Sequence, residues 1–167
     1  MNKLNRYHFI EETTILQLRN GYVILMSPES YNLVKDYTWC MEGTGYAMSR
    51  TGGKPVKMHR IILGIKDKNV HVDHINGNKL DNRLSNLRLC SKHQNEFNSK
   101  IKSTNTTGYK GVSPYKGKYR AVITLNGKQK HLGIFKTKEQ AAHIYNEYAK
   151  IYFGEFARLN KKEGKTL

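Results

Sequence analysis

Apolar and polar positions alternate with a period of two over much of this 167-residue chain, and turn signals interrupt the alternation at short intervals. TILQLRNGYVILMS, residues 14–27, sets two β-prone arms around Asn20-Gly21 and predicts a hairpin. Ser27 as N-cap, Pro28 at the first helical position, then Glu29 and Ser30, predict a short helix running toward Tyr37. Residues 38–64 return to β-prone alternation with Gly turns, and Met58 to Leu63 reads as a short helix ended by Gly64. Val70 to His74 alternates as a strand, Asn76-Gly77 turns the chain, and Leu84, Leu87 and Leu89 mark a second short strand. Ser91, with Gln94 three residues later, opens a helix from about Lys92 to Lys100.

Residues 99–107 are polar, basic and aperiodic, as a linker would be. Three β-prone arms follow, separated at Lys116-Gly117 and Asn126-Gly127. TKEQAAHIYNEYAKIYFG then predicts one amphipathic helix, with Thr137 as N-cap and Gln140 at N3. Its apolar stripe is Ala141, Ile144, Tyr145, Tyr148 and Ile151, and Gly154 ends it. The expected class is α+β. A small N-terminal α+β scaffold leads into a strand–loop–strand–helix core within residues 1–98. A three-stranded antiparallel sheet backed by one helix fills 108–160, and 161–167 is a basic tail.

Composition narrows the partners. An apolar fraction of 38% suits two small cores better than one large one. With 29 Lys+Arg against 13 Asp+Glu the net charge is +16, which attracts polyanions: nucleic acid first, an anionic membrane second. No apolar run reaches spanning length, and the N-terminus lacks the pattern of a signal peptide, so no membrane role is expected. Cys40 and Cys90 are too few for a disulfide framework or a Cys-rich zinc site. An intracellular, cytoplasmic setting follows as the default. Both cysteines and Trp39 are expected in the core. Between Phe97 and Lys138 there are ten Lys/Arg and no Asp/Glu, a candidate phosphate-binding surface.

Residues 72–98, VDHINGNKLDNRLSNLRLCSKHQNEFN, carry the chemistry. Asp73 offers a hard anionic oxygen, and His74 titrates near neutrality, where a histidine can take a proton from water. A backbone carbonyl or an asparagine oxygen such as that of Asn86 can orient the imidazole, and asparagine amides offer neutral oxygens to a cation that keeps most of its water. Adjacent strand residues point to opposite faces, so Asp73 and His74 reach one point only where the strand ends or bends. Asn76-Gly77-Asn78 reads as turn chemistry, and His59, His71, His131 and His143 as structural or phosphate-facing.

The pattern Asp73-His74, eleven residues, Asn86-Leu87, seven residues, Asn95 resembles the HNH, or ββα-metal, endonuclease motif. It is closest to the variant in phage and group I intron homing endonucleases with Asn at the third position, and Met58-His59-Arg60 resembles the segment preceding that motif. The resemblance implies His74 as general base, Asp73 and Asn95 as ligands of Mg²⁺ (or Mn²⁺), and Asn86 holding strands and base in place. His93 in place of Asn95 would favour a softer metal. Tyr109-Lys110-Gly111-Val112, Gly117-Lys118-Tyr119-Arg120-Ala121, His131-Leu132-Gly133-Ile134-Phe135 and Ala141-Ala142-His143-Ile144-Tyr145-Asn146 resemble the Apetala-type (ethylene-responsive-factor) DNA-binding domain over roughly 106–160. In that family a sheet lies in the major groove. The contacts implied here are Lys110, Tyr115, Lys118, Arg120, Lys128 and Lys130, with Phe135, Ala141 and Tyr145 as core. The expected protein is a monomeric, homing-type endonuclease that nicks one strand of double-stranded DNA. Its rivals are a DNA-binding regulator with a decayed nuclease core and, less well supported, an RNA-binding module.

Overall fold

The computed structural model describes residues 6–101, 103–162 and 165–166. Lys102 of the expected linker, and Glu163, Gly164 and Leu167 of the expected tail, lie outside the described residues. The chain forms two compact units, Met1–Ser91 and Lys92–Leu167.

In the first unit β1 (Arg6–Ile10), β2 (Thr13–Gln17) and β3 (Val23–Met26) make an antiparallel sheet, with the expected hairpin joining β2 to β3. Thr14 pairs with Met26 and Leu16 with Ile24, and all four are fully buried. Period-two alternation therefore puts one face of this hairpin into the core. The predicted helix after Ser27 is shorter than expected: a 3-10 turn over Pro28–Ser30 leads into α1 (Tyr31–Val34). Ser27 makes no cap with its side chain. Its Oγ instead accepts from the Leu84 backbone N–H at 2.9 Å, which ties the hairpin end to the motif region.

β4 (Trp39–Met41), β5 (Ala47–Ser49) and β6 (Val56–Lys57) form a second antiparallel sheet, and α2 (Met58–Ile62) begins where β6 ends. Trp39 is core, and its indole N–H donates to the Val34 carbonyl at 2.9 Å. Cys40 corrects the expectation of burial: it is exposed on the edge strand β4, and Cys90 is half-buried. β7 (His71–His74) is followed by the two-residue β8 (Asp81–Asn82) and by β9 (Leu87–Cys90). β7 and β9 pair antiparallel, while β8 extends the first sheet by pairing parallel to β3.

The second unit starts with α3 (Lys92–Phe97), which stops three residues short of the expected Lys100. β10 (Val112–Tyr115), β11 (Lys118–Leu125) and β12 (Lys128–Phe135) form the expected three-stranded antiparallel sheet. Both turns place two residues at positive φ (45° and 73° at Lys116-Gly117, 49° and 76° at Asn126-Gly127), the type I′ geometry that matches strand twist. α4 (Lys138–Phe153) carries the expected Thr137–Gln140 capping box. Its buried line runs through Ala141, Ala142, Tyr145, Ala149 and Phe153 against Val112, Ala121 and Ile123. Ile151, assigned to the stripe from sequence, is 75% exposed, because a four-residue step from Tyr145 through Ala149 to Phe153 leaves it on the outer side. β13 (Lys161–Lys162) and β14 (Lys165–Thr166) pair near the end of the chain. The described residues thus make a mixed α+β protein of several small sheets and few helices, and none of their helices is long and apolar enough to cross a membrane.

Candidate active site

The end of β7 brings two titratable neighbours into the interior. Asp73 and His74 are each only 4% exposed, although charged or chargeable side chains rarely bury unless partnered. Opposite Asp73 in the ladder stands Arg88, whose Nε and Nη2 donate to Asp73 Oδ2 at 2.9 and 2.6 Å. These two charge-assisted hydrogen bonds hold the buried carboxylate in place. His74 pairs with Leu87, and its Nε2 lies 3.4 Å from Asn82 Oδ1. β8 therefore supplies the amide that orients the imidazole.

The His74 ring sits in an aromatic cluster. The His59 ring packs edge-on at 5.2 Å between centroids, and Tyr46 lies 5.3 Å from His59 and 5.9 Å from His74. Burial lowers the pKa of His74, against the opposing pull of the Asn82 hydrogen bond and the charges of Asp73 and Asp81. An imidazole held below its ordinary range is a free base at neutral pH. His59 is lowered further, to about 3, by burial first and then by the proximity of His74 and Lys57. It is thus a buried neutral ring against the candidate base. The only sequence signal for that placement is Met58-His59-Arg60 standing ahead of the motif.

Asn86 acts on the connection between the strands. Its Nδ2 donates to the Asp81 carbonyl at 2.8 Å and to Asn76 Oδ1 at 3.1 Å, while its Oδ1 accepts from the Asn76 N–H at 3.0 Å. The Ile75 N–H donates to the Asn86 carbonyl at 2.9 Å. Asp81, 1% exposed, accepts from Asn76 Nδ2 at 2.9 Å and pairs with Arg83 at 2.7 Å. Burial works against the Asp81 charge, but the hydrogen bonds and charge of Arg83 outweigh it and leave the carboxyl below its ordinary range. The asparagine density is thus largely a clamp that closes residues 75–86 and presents Asn82 to His74. The orienting role expected of Asn86 toward the base is taken by Asn82, a residue the spacing pattern passes over.

Asn95 lies half-buried on α3, which belongs to the second unit, and His93 on the same helix sits 3.9 Å from Glu96. Within that unit the DNA-contact candidates separate by face. The register groups Tyr115 with Lys118 and Ser113 with Arg120, on the face turned away from α4. Lys128 pairs with Leu125 and Lys130 with Ile123, on the α4 side. There Lys130 Nζ donates to Tyr152 Oη at 2.7 Å. Lys110 turns inward: its ammonium donates to the carbonyls of Phe97 and Ser99 at 2.6 and 2.9 Å, and burial lowers its pKa to about 8. Lys128 and Lys130 are therefore not on one face with Lys118 and Arg120, while Lys110 lines the same groove as Arg120 with its ammonium already engaged. The Arg120 Nε is buried without a hydrogen-bond partner among the described residues, and Arg120, Ser113, Thr124, Gln129 and Asn105 line a groove of about 830 Å³.

Among the described residues no three His, Cys, Asp or Glu side chains lie close enough to hold a metal by themselves. A single buried carboxylate supplemented by amide oxygens fits a hard divalent ion that keeps most of its water, and does not fit a tetrahedral zinc site.

Residues 56–97 match the family model described as HNH endonuclease, a span holding α2, β7, β8, β9 and α3. An uncharacterized HNH endonuclease of Acanthamoeba polyphaga mimivirus is 39% identical over 153 residues, covering 89% of this chain and 80% of the relative. Protein 3.8 of Escherichia phage T7 is 38% identical over 94 residues, covering 55% of this chain and 77% of that protein. No solved structure matches the chain significantly. HNH nucleases generally use a divalent metal and act on DNA. The matched span and the long alignment at this identity mean that the chain belongs to the HNH endonuclease family.

Proposed function

We propose that the protein is a Mg²⁺- or Mn²⁺-dependent DNA endonuclease that hydrolyses a phosphodiester at a preferred site and, acting as a monomer, nicks one strand. His74 is the general base. Its imidazole, buried next in sequence to Asp73 and 3.4 Å from Asn82 Oδ1, is the observation that carries this reading. The imidazole accepts the proton of the attacking water, and burial keeps it unprotonated for that step. Asp73 would hold the metal, with Asn95 as the family pattern implies, and the bound ion would offset charge on the phosphate and leaving oxygen. Arg88 fixes the Asp73 carboxylate, and Asn86 fixes the connection that carries Asn82.

The second unit is read as an Apetala-type DNA-binding domain that places the face bearing Tyr115, Lys118 and Arg120 against the duplex. The unsatisfied Arg120 Nε supports this, since a buried donor without a partner is costly unless a ligand completes it. A mobile, homing-type role of phage or intron origin, in the cytoplasm of the host cell, belongs to the same proposal. The test is supercoiled plasmid with Mg²⁺ or Mn²⁺, wild type against His74→Ala. Nicked circle from the wild type, with a loss of at least about 100-fold in the variant, is expected for a positioned base. Equal rates would remove His74 from the chemistry. Binding without any turnover on a target-bearing plasmid would favour a DNA-binding regulator with a decayed core.

A further inference from the structure

Two lysines near His74 have no part in the proton transfer, yet both are held in place by one ring. Lys57 Nζ lies 4.2 Å and Lys79 Nζ 4.4 Å from the centroid of Tyr46, whose ring is 5.9 Å from that of His74. Lys57 comes from the end of β6 and Lys79 from the connection after β7, so the chain brings them to Tyr46 from separate elements. Lys79 is tied further by a 2.9 Å hydrogen bond from its ammonium to the Thr44 carbonyl. Lys57 has Glu42 at 3.9 Å, a half-exposed and therefore weak pair.

An ammonium seated on a ring face keeps donors for a further acceptor, because the π contact uses charge and not its N–H groups. Its long stem has already lost rotamer freedom, so an incoming anion does not have to order it. Two such cations beside a base suit a polyanion whose charges repeat along a backbone.

The geometry points to Lys57 and Lys79, seated on Tyr46, as a clamp for a DNA backbone phosphate next to the bond that is cut. This rests on the reading of His74 as the catalytic base. Tyr46 acts as a positioning residue that holds the two cations at the edge of the site.

The test separates the clamp from the chemistry. Binding of the full chain carrying His74→Ala to one fixed DNA duplex is followed against salt concentration. Adding Lys57→Met or Lys79→Met should each reduce the slope of log K against log salt by about 0.9, the value for one lost phosphate contact. Lys57→Arg and Lys79→Arg should restore it, with all binding read well below each variant's melting temperature. Unchanged slopes in both methionine variants would overturn the clamp and leave the lysines as ties between hairpin and loop. Slopes that arginine fails to restore would also overturn it. Cleavage plays no part in this readout, so a failed nicking assay and a failed clamp are distinguishable.

Discussion

His59 shows how one side chain can set the chemistry of another without appearing in a spacing pattern. It is 5% exposed, edge-on to His74, and its Nδ1 is buried without a hydrogen-bond partner among the described residues. A charged imidazole there would repel a proton arriving on His74, and the depressed pKa of His59 keeps that ring neutral, as the proposed role of His74 requires. Stability carries the cost. With a folded pKa of about 3 and an unfolded value near 6.5, the unfolded chain binds the extra proton. The contribution is complete above pH 6.5 and is lost as pH falls from there toward 3, at up to about 1.4 kcal/mol per pH unit. His59→Phe keeps a ring in place and removes the titration. Denaturant unfolding between pH 7 and 4 should give a visibly shallower acid decline for that variant. Parallel curves for the two proteins would mean that His59 is not the residue that titrates.

At the scale of elements, the strands with clean alternation were readable from sequence, and the elements set by distant partners were not. The hairpin at Asn20-Gly21 and the sheet with its two type I′ turns follow from local rules that act over four to eight residues. β8 is two polar residues long, and only its pairing with β3 makes it a strand, so no local signal announces it. The Asn82 contact to His74 was hidden for the same reason: among many asparagines, nothing in composition separates the one that faces the ring from those that close the loop. The positions of Asp73, His74 and Asn86 at the ends of the two strands were legible, because the motif spacing follows the strand–loop–strand path. The partner of Asp73 was not, since Arg88 is chosen by antiparallel register. Removing it leaves a buried carboxylate without its counter-charge, so Arg88→Leu should cost about 3–5 kcal/mol in urea unfolding. A change below about 1 kcal/mol would show that the pair contributes little, as exposed pairs do.

The same reasoning holds in the second unit at Gly111. Its φ is +73°, and a Cβ there would stand 2.2 Å from Tyr145 Cδ2 and 2.5 Å from the Val122 carbonyl oxygen. One of these is ladder backbone and the other a ring at the centre of the helix-on-sheet core, so neither yields cheaply. Gly111→Ala should therefore destabilise this unit by several kcal/mol, on the order of a strained core substitution. Gly117→Ala, at a similar φ but with open space around its Cβ, isolates the backbone part of the strain. Calorimetry on the pair checks this, and equal losses would assign the whole effect to φ.

For the molecule as a whole, charge gives affinity for DNA, and the register decides which charges can act together. A net +16 in 167 residues makes steep salt sensitivity of binding a secure expectation, yet it does not say where the duplex lies. Two pairs of basic residues of similar composition differ only in face: Lys118 and Arg120 point away from α4, Lys128 and Lys130 toward it. Lys130 is already engaged, donating to Tyr152 and lying 5.2 Å from that ring's centroid. If the outer face holds DNA, Arg120→Ala should weaken binding by about 1–3 kcal/mol and blur site preference, and Lys118→Ala should lower the salt slope by about 1. Lys130→Ala should leave both unchanged, because removing a cation from the far side of a sheet costs no phosphate contact. Titrations of the three variants on one duplex over a salt series read all of this together. Equal losses from Lys118→Ala and Lys130→Ala would mean that affinity follows total charge, and the sheet face would then have no special part in holding DNA.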